Sequence, residues 1–323
     1  LVMERDPSEV MKEIVNRLKN LSAKELLSYA IFNERDEVEY YAELAKRAKR
    51  RSVKVLFRKM SEESKVHENM LRELFKKLFP GEEPVKVDAP PVEVYPFYPE
   101  FESAEDYVSA LRYCMESELF AKQTYELLAS VARDEEVRKL ALDLAAMEQG
   151  HYEEIKRVYD LMEAFERRHS SPWELDSGAY LLTDDVKARY FLLDFLDEPK
   201  ELLALVRENP HRFREFIEGS GRVFWITKTD VEGAVPPELL PDMRNELSRF
   251  FRECSSRERR GVVFLQNLGY LVSQLGFKDT LDFVLYVKDL AIINDGYLIV
   301  TAIPEAFEKK EWAILTSELE LIS

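Results

Sequence analysis

From about residue 8 to residue 165 the apolar positions follow the three-to-four-residue period of amphipathic helices, and breaks in that period divide the stretch into segments. A short lead helix covers about Ser8–Leu18. Ser22 with Glu25 has capping-box spacing, each side chain able to satisfy the other's backbone N–H, and opens a long helix to about Arg50. A second long helix spans about Ser52 to Leu78 and stops at Pro80-Gly81. Pro84 to Pro99, with Pro90-Pro91 inside it, lacks helical periodicity and reads as a crossing. Ser103 with Asp106 opens a third helix to about Ala132, and Asp134 starts a fourth that ends near Arg167. Two helical hairpins joined by one long crossing predict a four-helix bundle.

Past Arg168-His169-Ser170-Ser171-Pro172, a polar linker with a breaker, the pattern changes. β-rich runs at Ala179–Thr183, Leu202–Val206, Val223–Thr227, Val262–Gln266 and Tyr297–Thr301 alternate with helical stretches at about 185–197, 210–218, 237–253, 270–290 and 304–320. Such alternation predicts a mostly parallel sheet with helices on both faces. The expected fold class is therefore α plus α/β: a four-helix bundle over 1–167, then an α/β domain with a five-stranded sheet over 173–323.

The helical half carries an internal repeat. Ala30-Ile31-Phe32-Asn33-Glu34 corresponds to Cys114-Met115-Glu116-Ser117-Glu118, and Tyr41–Ala45 to Tyr125–Ala129. Ser64-Lys65-Val66-His67 corresponds to Glu148-Gln149-Gly150-His151, all at one offset of 84 residues without a gap. Residues three apart on a helix share a face, so Glu148 and His151 can address one ion. From Glu34 the chain climbs to the turn near Arg51 and descends a similar distance to Ser64; at ~1.5 Å per residue the two levels agree within about one turn. The same holds for Glu118 and Glu148 around Arg133, so all four helices can present a ligand at one height.

These residues resemble the ferritin-like superfamily, rubrerythrin-related proteins in particular, over about residues 20–165. The resemblance implies paired iron or manganese held by a Glu from each of two helices and a Glu-x-x-His from the other two. By position, Glu34 and Glu118 would be terminal carboxylates, Glu148 a bridging one, and His67 and His151 the imidazole ligands. Where the other bridging carboxylate is expected the chain has Ser64, a poor substitute for an anion. Glu63 is next to it but rotated by about 100°. Glu37, one turn after Glu34 on the same face, is the better replacement. The expected site is asymmetric, mono- or dinuclear, with zinc as an alternative to iron or manganese; a relic without metal is the rival reading. Tyr41 and Tyr125 read as core packing, not as a radical site, and His169 and His211 receive no role.

Composition narrows the setting. A formal charge of −16 and a pI near 5.0 oppose general nucleic-acid binding, which needs a basic field. Cys114 and Cys254 are the only cysteines and form no C-x-x-C pair, so no disulfide framework or four-cysteine iron centre is expected. Rubrerythrins couple their paired irons to such a centre; here ferroxidase- or peroxide-type chemistry would need an external electron donor. Leu1–Asp6 does not read as a signal peptide, and no apolar run approaches a membrane span, so a cytoplasmic protein without membrane contact is expected. A charged fraction of 33% is in keeping with a thermophilic source.

The second half resembles an uncharacterised archaeal family, domain of unknown function 835, over about residues 175–322. The matching stretches are Ala179–Thr183, Leu205–Pro210, Arg222–Thr227, Val262–Leu271 and Tyr297–Thr301 with Pro304. The layout is similar to the nucleotide-binding core of RecA-like ATPases, but none of the ten glycines forms G-x-x-x-x-G-K-[ST]. Where such ATPases place a magnesium-binding Asp, the chain has Gln266, and the family's usual Asp-Gly is Gln266-Asn267. Gly219-Ser220-Gly221 reads as a turn before a strand, not a phosphate loop. The expectation is a module for a protein partner, in a homodimer or higher homo-oligomer. A non-catalytic scaffold and a regulator binding nucleotide or another small ligand are the alternatives.

Overall fold

A computed structural model describes residues 7–90, 98–168, 175–196, 199–219, 221–231 and 233–322. Leu1–Asp6, the second half of the Pro90-Pro91 pair, most of the linker including His169, and Ser220 lie outside the described residues. The chain separates into two compact units, Leu1–Met162 and Glu163–Ser323.

The first unit is a helical bundle, in the expected order: α1 (Pro7–Leu18), α2 (Ala23–Arg47), α3 (Arg51–Leu78), α4 (Ala104–Val131) and α5 (Glu135–Arg168), the last of which runs past Met162 into the second unit. Both expected capping boxes form, Ser22 with Glu25 on α2 and Ser103 with Asp106 on α4. Asp134 accepts from the backbone N–H groups of Glu136 and Val137 and so starts α5. One apolar cluster joins Ile14 and Leu18 of α1, Leu27 and Ile31 of α2, Leu71 and Phe75 of α3, Tyr125 and Leu128 of α4, and Leu140 and Leu144 of α5. Burial of these side chains, at about 25 cal/mol per Å² of apolar surface, is what holds the bundle. The lead helix α1 packs on α4.

The second unit is a doubly wound α/β domain. Its sheet is seven-stranded, not five-stranded, with order β4-β3-β2-β5-β6-β1-β7. The strands are β1 (Gly178–Leu182), β2 (Lys200–Val206), β3 (Arg222–Ile226), β4 (Ala234–Val235), β5 (Arg260–Leu265), β6 (Tyr297–Thr301) and β7 (Glu320–Ile322), and all pairings are parallel. The five expected strands form its centre; the additions are β4 and β7 at the two edges, too short to leave an alternating pattern. α6 (Asp185–Phe195) and α7 (Pro210–Phe216) cover one face, where Phe195 meets Tyr297 and Phe213 stacks on Phe264. α8 (Arg244–Ser256), α9 (Leu268–Leu275), α10 (Phe277–Ile293) and α11 (Lys309–Glu318) bury Leu247, Phe251, Leu271, Val284 and Leu315 against the other.

Three helical stretches are more broken than the periodicity predicts. Residues 237–253 begin as a 3-10 turn over Pro237–Met243, where Pro241 lacks the N–H a helix needs, before α8 takes over. Gly276, at φ +82°, splits 270–290 into α9 and α10. The stretch 304–320 is a short turn, then α11, then the first residue of β7.

Candidate metal centre

Halfway along the bundle the apolar core is interrupted by polar side chains from four helices. Glu34 and Glu37 on α2, Ser64 on α3, Glu118 on α4, and Glu148 and His151 on α5 are all buried; His67 on α3 is about one-fifth exposed. Each arrives by helical spacing: Glu34 and Glu37, Ser64 and His67, and Glu148 and His151 lie three apart and share a face.

Glu37, Glu118 and His151 form the tightest group, with one ligand atom of each within 4.8 Å of the others. His151 Nδ1 lies 3.7 Å from Glu37 Oε2 and 3.5 Å from Glu118 Oε2. His67 Nδ1 lies 3.4 Å from Glu34 Oε1, and the two imidazoles stack with centroids 5.0 Å apart. These approaches are not aligned as hydrogen bonds. Glu34 Oε2, His67 Nδ1, Glu118 Oε2, Glu148 Oε2 and both ring nitrogens of His151 are buried without a hydrogen-bond partner. Buried polar atoms are normally paired, and leaving one unpaired costs about 1–3 kcal/mol. Several such atoms in one pocket, all oxygen or imidazole nitrogen, match the donor set of iron, manganese or zinc.

Ser64 has a definite task. Its hydroxyl donates to Glu37 Oε2 at 2.8 Å, across the α2–α3 hairpin. Glu37 thus enters the site and Ser64 orients it. Glu63 is not in the tight group: it is part-exposed and sits 3.7 Å from Lys59, and only its charge is felt at His151. Two further buried glutamates are neutralised locally, Glu68 by Lys65 and Arg72, and Glu154 by Lys59 and Arg157.

The electrostatics follow from crowding four carboxylates in a buried space. Burial, then the charges of Glu37, Glu118 and Glu68, push Glu34 up to about 11. Burial and the charge of Glu37 likewise raise Glu148 well above the usual range. Burial also opposes charge on Glu118, but His151, Glu148 and Tyr41 hold it below the usual value. For His151 burial disfavours the cation, yet Glu118 and Glu37 outweigh it and carry the ring up to about 9. His67, buried beside His151, falls to about 4. Without metal the pocket therefore stores protons on Glu34, Glu148 and His151.

Sequence reasoning took Tyr41 for packing alone. Its ring is in the core, but its hydroxyl donates to Glu118 Oε1. The available signal was its position seven residues after Glu34, two turns along the same face. Tyr125, its repeat partner, accepts from Asn33 Nδ2 at 3.5 Å.

In the α/β domain the connections diverge between β2 and β5, the point at which open sheets of this kind bind ligands beyond the strand ends. Gln266 occupies that crevice. Its Oε1 accepts from the backbone N–H of Arg207 at 2.8 Å and of Glu208 at 3.2 Å, and its Nε2 donates to Glu208 Oε1 at 3.0 Å. The Arg207 guanidinium lies 3.8 Å from the centre of the Tyr270 ring. The crevice is thereby bridged by the protein's own side chains. No helix among the described residues is long and apolar enough to cross a membrane.

Comparison with known proteins matches this division. Residues 25–159 match the family model Rubrerythrin, and residues 181–319 match the model described as protein of unknown function DUF835. Among solved structures, a hypothetical protein from Pyrococcus furiosus is 32% identical; the match covers 46% of this chain and 95% of that one, at a TM-score of 0.39. No curated protein matches.

Proposed function

Since the chain joins a helical domain of the rubrerythrin family to a DUF835 domain, we propose that its helical half is a metal-dependent redox protein of the ferroxidase or peroxide-reducing type. Glu37, Glu118 and His151 would hold iron or manganese, with Glu34, Glu148 and His67 completing the set. Iron or manganese supplies there the ability to exchange electrons with dioxygen or peroxide. The observation that carries the reading is the convergence of buried, unpartnered carboxylate oxygens and imidazole nitrogens from four helices.

The side chains around the site have separable tasks. Ser64 orients Glu37 and Tyr41 orients Glu118, so two of the three closest ligands are fixed before any ion arrives. The surrounding apolar side chains bury the site, with His67 at its part-exposed edge. Glu34 and Glu148 hold protons that binding must displace, which makes uptake release protons to solvent. Elemental analysis of purified and iron- or manganese-reconstituted protein tests the reading. Wild type retains metal after desalting and a Glu118→Ala/His151→Ala double variant does not; equal content in the two refutes it.

For the α/β domain we propose a partner-binding module and not a nucleotide hydrolase. Gln266 spends its amide on Arg207 and Glu208, at the place where a nucleotide would need a free acidic group. ATP and GTP with magnesium are expected to leave the melting temperature unchanged, because a ligand that binds only the folded state raises it. A nucleotide-dependent rise would reverse this assignment.

A further inference from the structure

The metal reading leaves open how electrons reach a buried centre in a chain with two buried, unpaired cysteines. Beyond the ligands, a line of oxidisable side chains leads outward. Tyr41 donates to Glu118 through its hydroxyl. Its ring centroid is 5.4 Å from that of Tyr40, and Tyr40 is 5.4 Å from Tyr98 in an edge-on contact. Tyr98 is 40% exposed, with the Arg47 guanidinium 4.9 Å from its ring centre. Burial thus falls in steps from Tyr41, fully enclosed, through half-buried Tyr40 to the surface at Tyr98. The repeat supplies an internal comparison. The partner of Tyr41 is Tyr125, but the partner of Tyr40 is Thr124, whose hydroxyl donates to Phe120 O on its own helix. The Tyr40–Tyr41 pair therefore has only Thr124–Tyr125 at the equivalent positions of the repeat.

We propose that Tyr98, Tyr40 and Tyr41 form an electron-entry relay from a small one-electron reductant at the surface to the centre beside Glu118; this rests on the metal reading above. Tyr41 gives one electron to the oxidised centre and its phenolic proton to Glu118 along their hydrogen bond. Tyr40 then reduces the Tyr41 radical, and the proton returns from Glu118. Tyr98 reduces Tyr40, and the reductant reduces Tyr98; half-buried Tyr40, whose hydroxyl lies 3.8 Å from Cys114 Sγ, and exposed Tyr98 each release a proton to solvent when oxidised and regain it when reduced. Each pass oxidises the reductant by one electron and reduces the centre by one, so two passes match the two electrons that convert peroxide to water. Arg47 lies over the Tyr98 ring and is itself paired with Glu43 Oε1 at 2.9 Å, so it holds the exposed edge of the line in place without adding a free charge.

The experiment uses full-length protein loaded with iron, oxidised by one equivalent of hydrogen peroxide and mixed with ascorbate. Iron content, the absorbance of the oxidised centre and rapid-freeze electron paramagnetic resonance are followed. Wild type is expected to show a transient tyrosyl radical and re-reduction at least tenfold faster than Tyr40→Phe or Tyr98→Phe. Both variants keep wild-type iron content and wild-type oxidation by peroxide, and Tyr159→Phe, outside the line, behaves as wild type. Normal iron content with an unchanged re-reduction rate in Tyr40→Phe overturns the relay alone. A wild type that retains no iron overturns the metal reading and the relay with it.

Discussion

Replacing Ser64 with alanine removes a single oxygen from the interior of the bundle, and its effect on metal affinity decides whether Glu37 is a ligand. Ser64 is fully buried, and its hydroxyl is the donor 2.8 Å from Glu37 Oε2. A hydrogen bond to an ionised group contributes about 1.5–3 kcal/mol. At about 1.4 kcal/mol per tenfold, its loss weakens binding by about 10- to 100-fold, the range typical of groups that orient a ligand. Glu37 has further contacts that keep its carboxylate partly placed, so the lower end, about tenfold, is expected. The assay is calorimetric titration of metal-free protein with manganese(II) under anaerobic conditions, comparing wild type, Ser64→Ala, Glu37→Gln and Glu63→Gln. Glu37→Gln should lose more than Ser64→Ala, and Glu63→Gln least, because Glu63 is part-exposed beside Lys59 and reaches the site only through its charge on His151. Wild-type affinity in both Ser64→Ala and Glu37→Gln would refute the reasoning and leave Ser64 as a gap in the repeat.

The metal-free protein should lose stability as pH rises from about 6.5 to about 9. His151 is carried in the folded chain from 6.5 up to about 9, and Glu34 from 4.5 up to about 11. Both contribute stability that is full below the unfolded value and lost as pH rises through the folded one. His67, lowered to about 4, acts in the opposite sense and only below 6.5. Melting scans across this range read the slope; Glu34→Gln should flatten it, and a flat wild-type profile would contradict the crowding of charge described. In the α/β domain, Gln266→Ala leaves the N–H groups of Arg207 and Glu208 without their acceptor and should destabilise the domain by about 1–3 kcal/mol. Denaturant unfolding measures it, metal content staying at the wild-type level; an unchanged midpoint would show that water replaces the amide.

Much of this was legible because the signals were periodic or local. The helices, both capping boxes and the inward faces follow from spacing, and the 84-residue repeat brought Glu34, His67, Glu118, Glu148 and His151 into one frame. Glu37 could be named because it shares a face with Glu34. What escaped depends on contacts across the bundle. That Ser64 donates to Glu37, or Tyr41 to Glu118, is set by the packing of one helix against another; spacing puts Tyr41 on the face of Glu34 but does not name its partner. In the sheet the inner strands were visible as buried apolar runs, whereas two-residue β4 and three-residue β7 are strands only because a neighbour pairs with them.

The repeat also bears on how many ions the site takes. Position 64 has a serine where position 148 has a glutamate, and position 37 has a glutamate where position 121 has a fully buried alanine. The carboxylate missing from α3 has its counterpart on α2, and the two positions touch through the Ser64–Glu37 hydrogen bond. Each hairpin therefore contributes two glutamates and one histidine: Glu34, Glu37 and His67 from one, Glu118, Glu148 and His151 from the other. A site in decay would leave Ser64 facing unpaired space; here an acid stands opposite it. Four ionised carboxylates with two neutral imidazoles balance two divalent ions, while a single ion would leave a buried surplus of negative charge, which is costly unless protons remain. The displaced carboxylate thus predicts two ions per chain despite the broken Glu-x-x-His motif. Manganese titration with simultaneous proton counting tests this. Saturation at one ion, with protons retained on Glu34 and Glu148, would show that the exchange between α2 and α3 keeps the charge of the pair without keeping its second metal position.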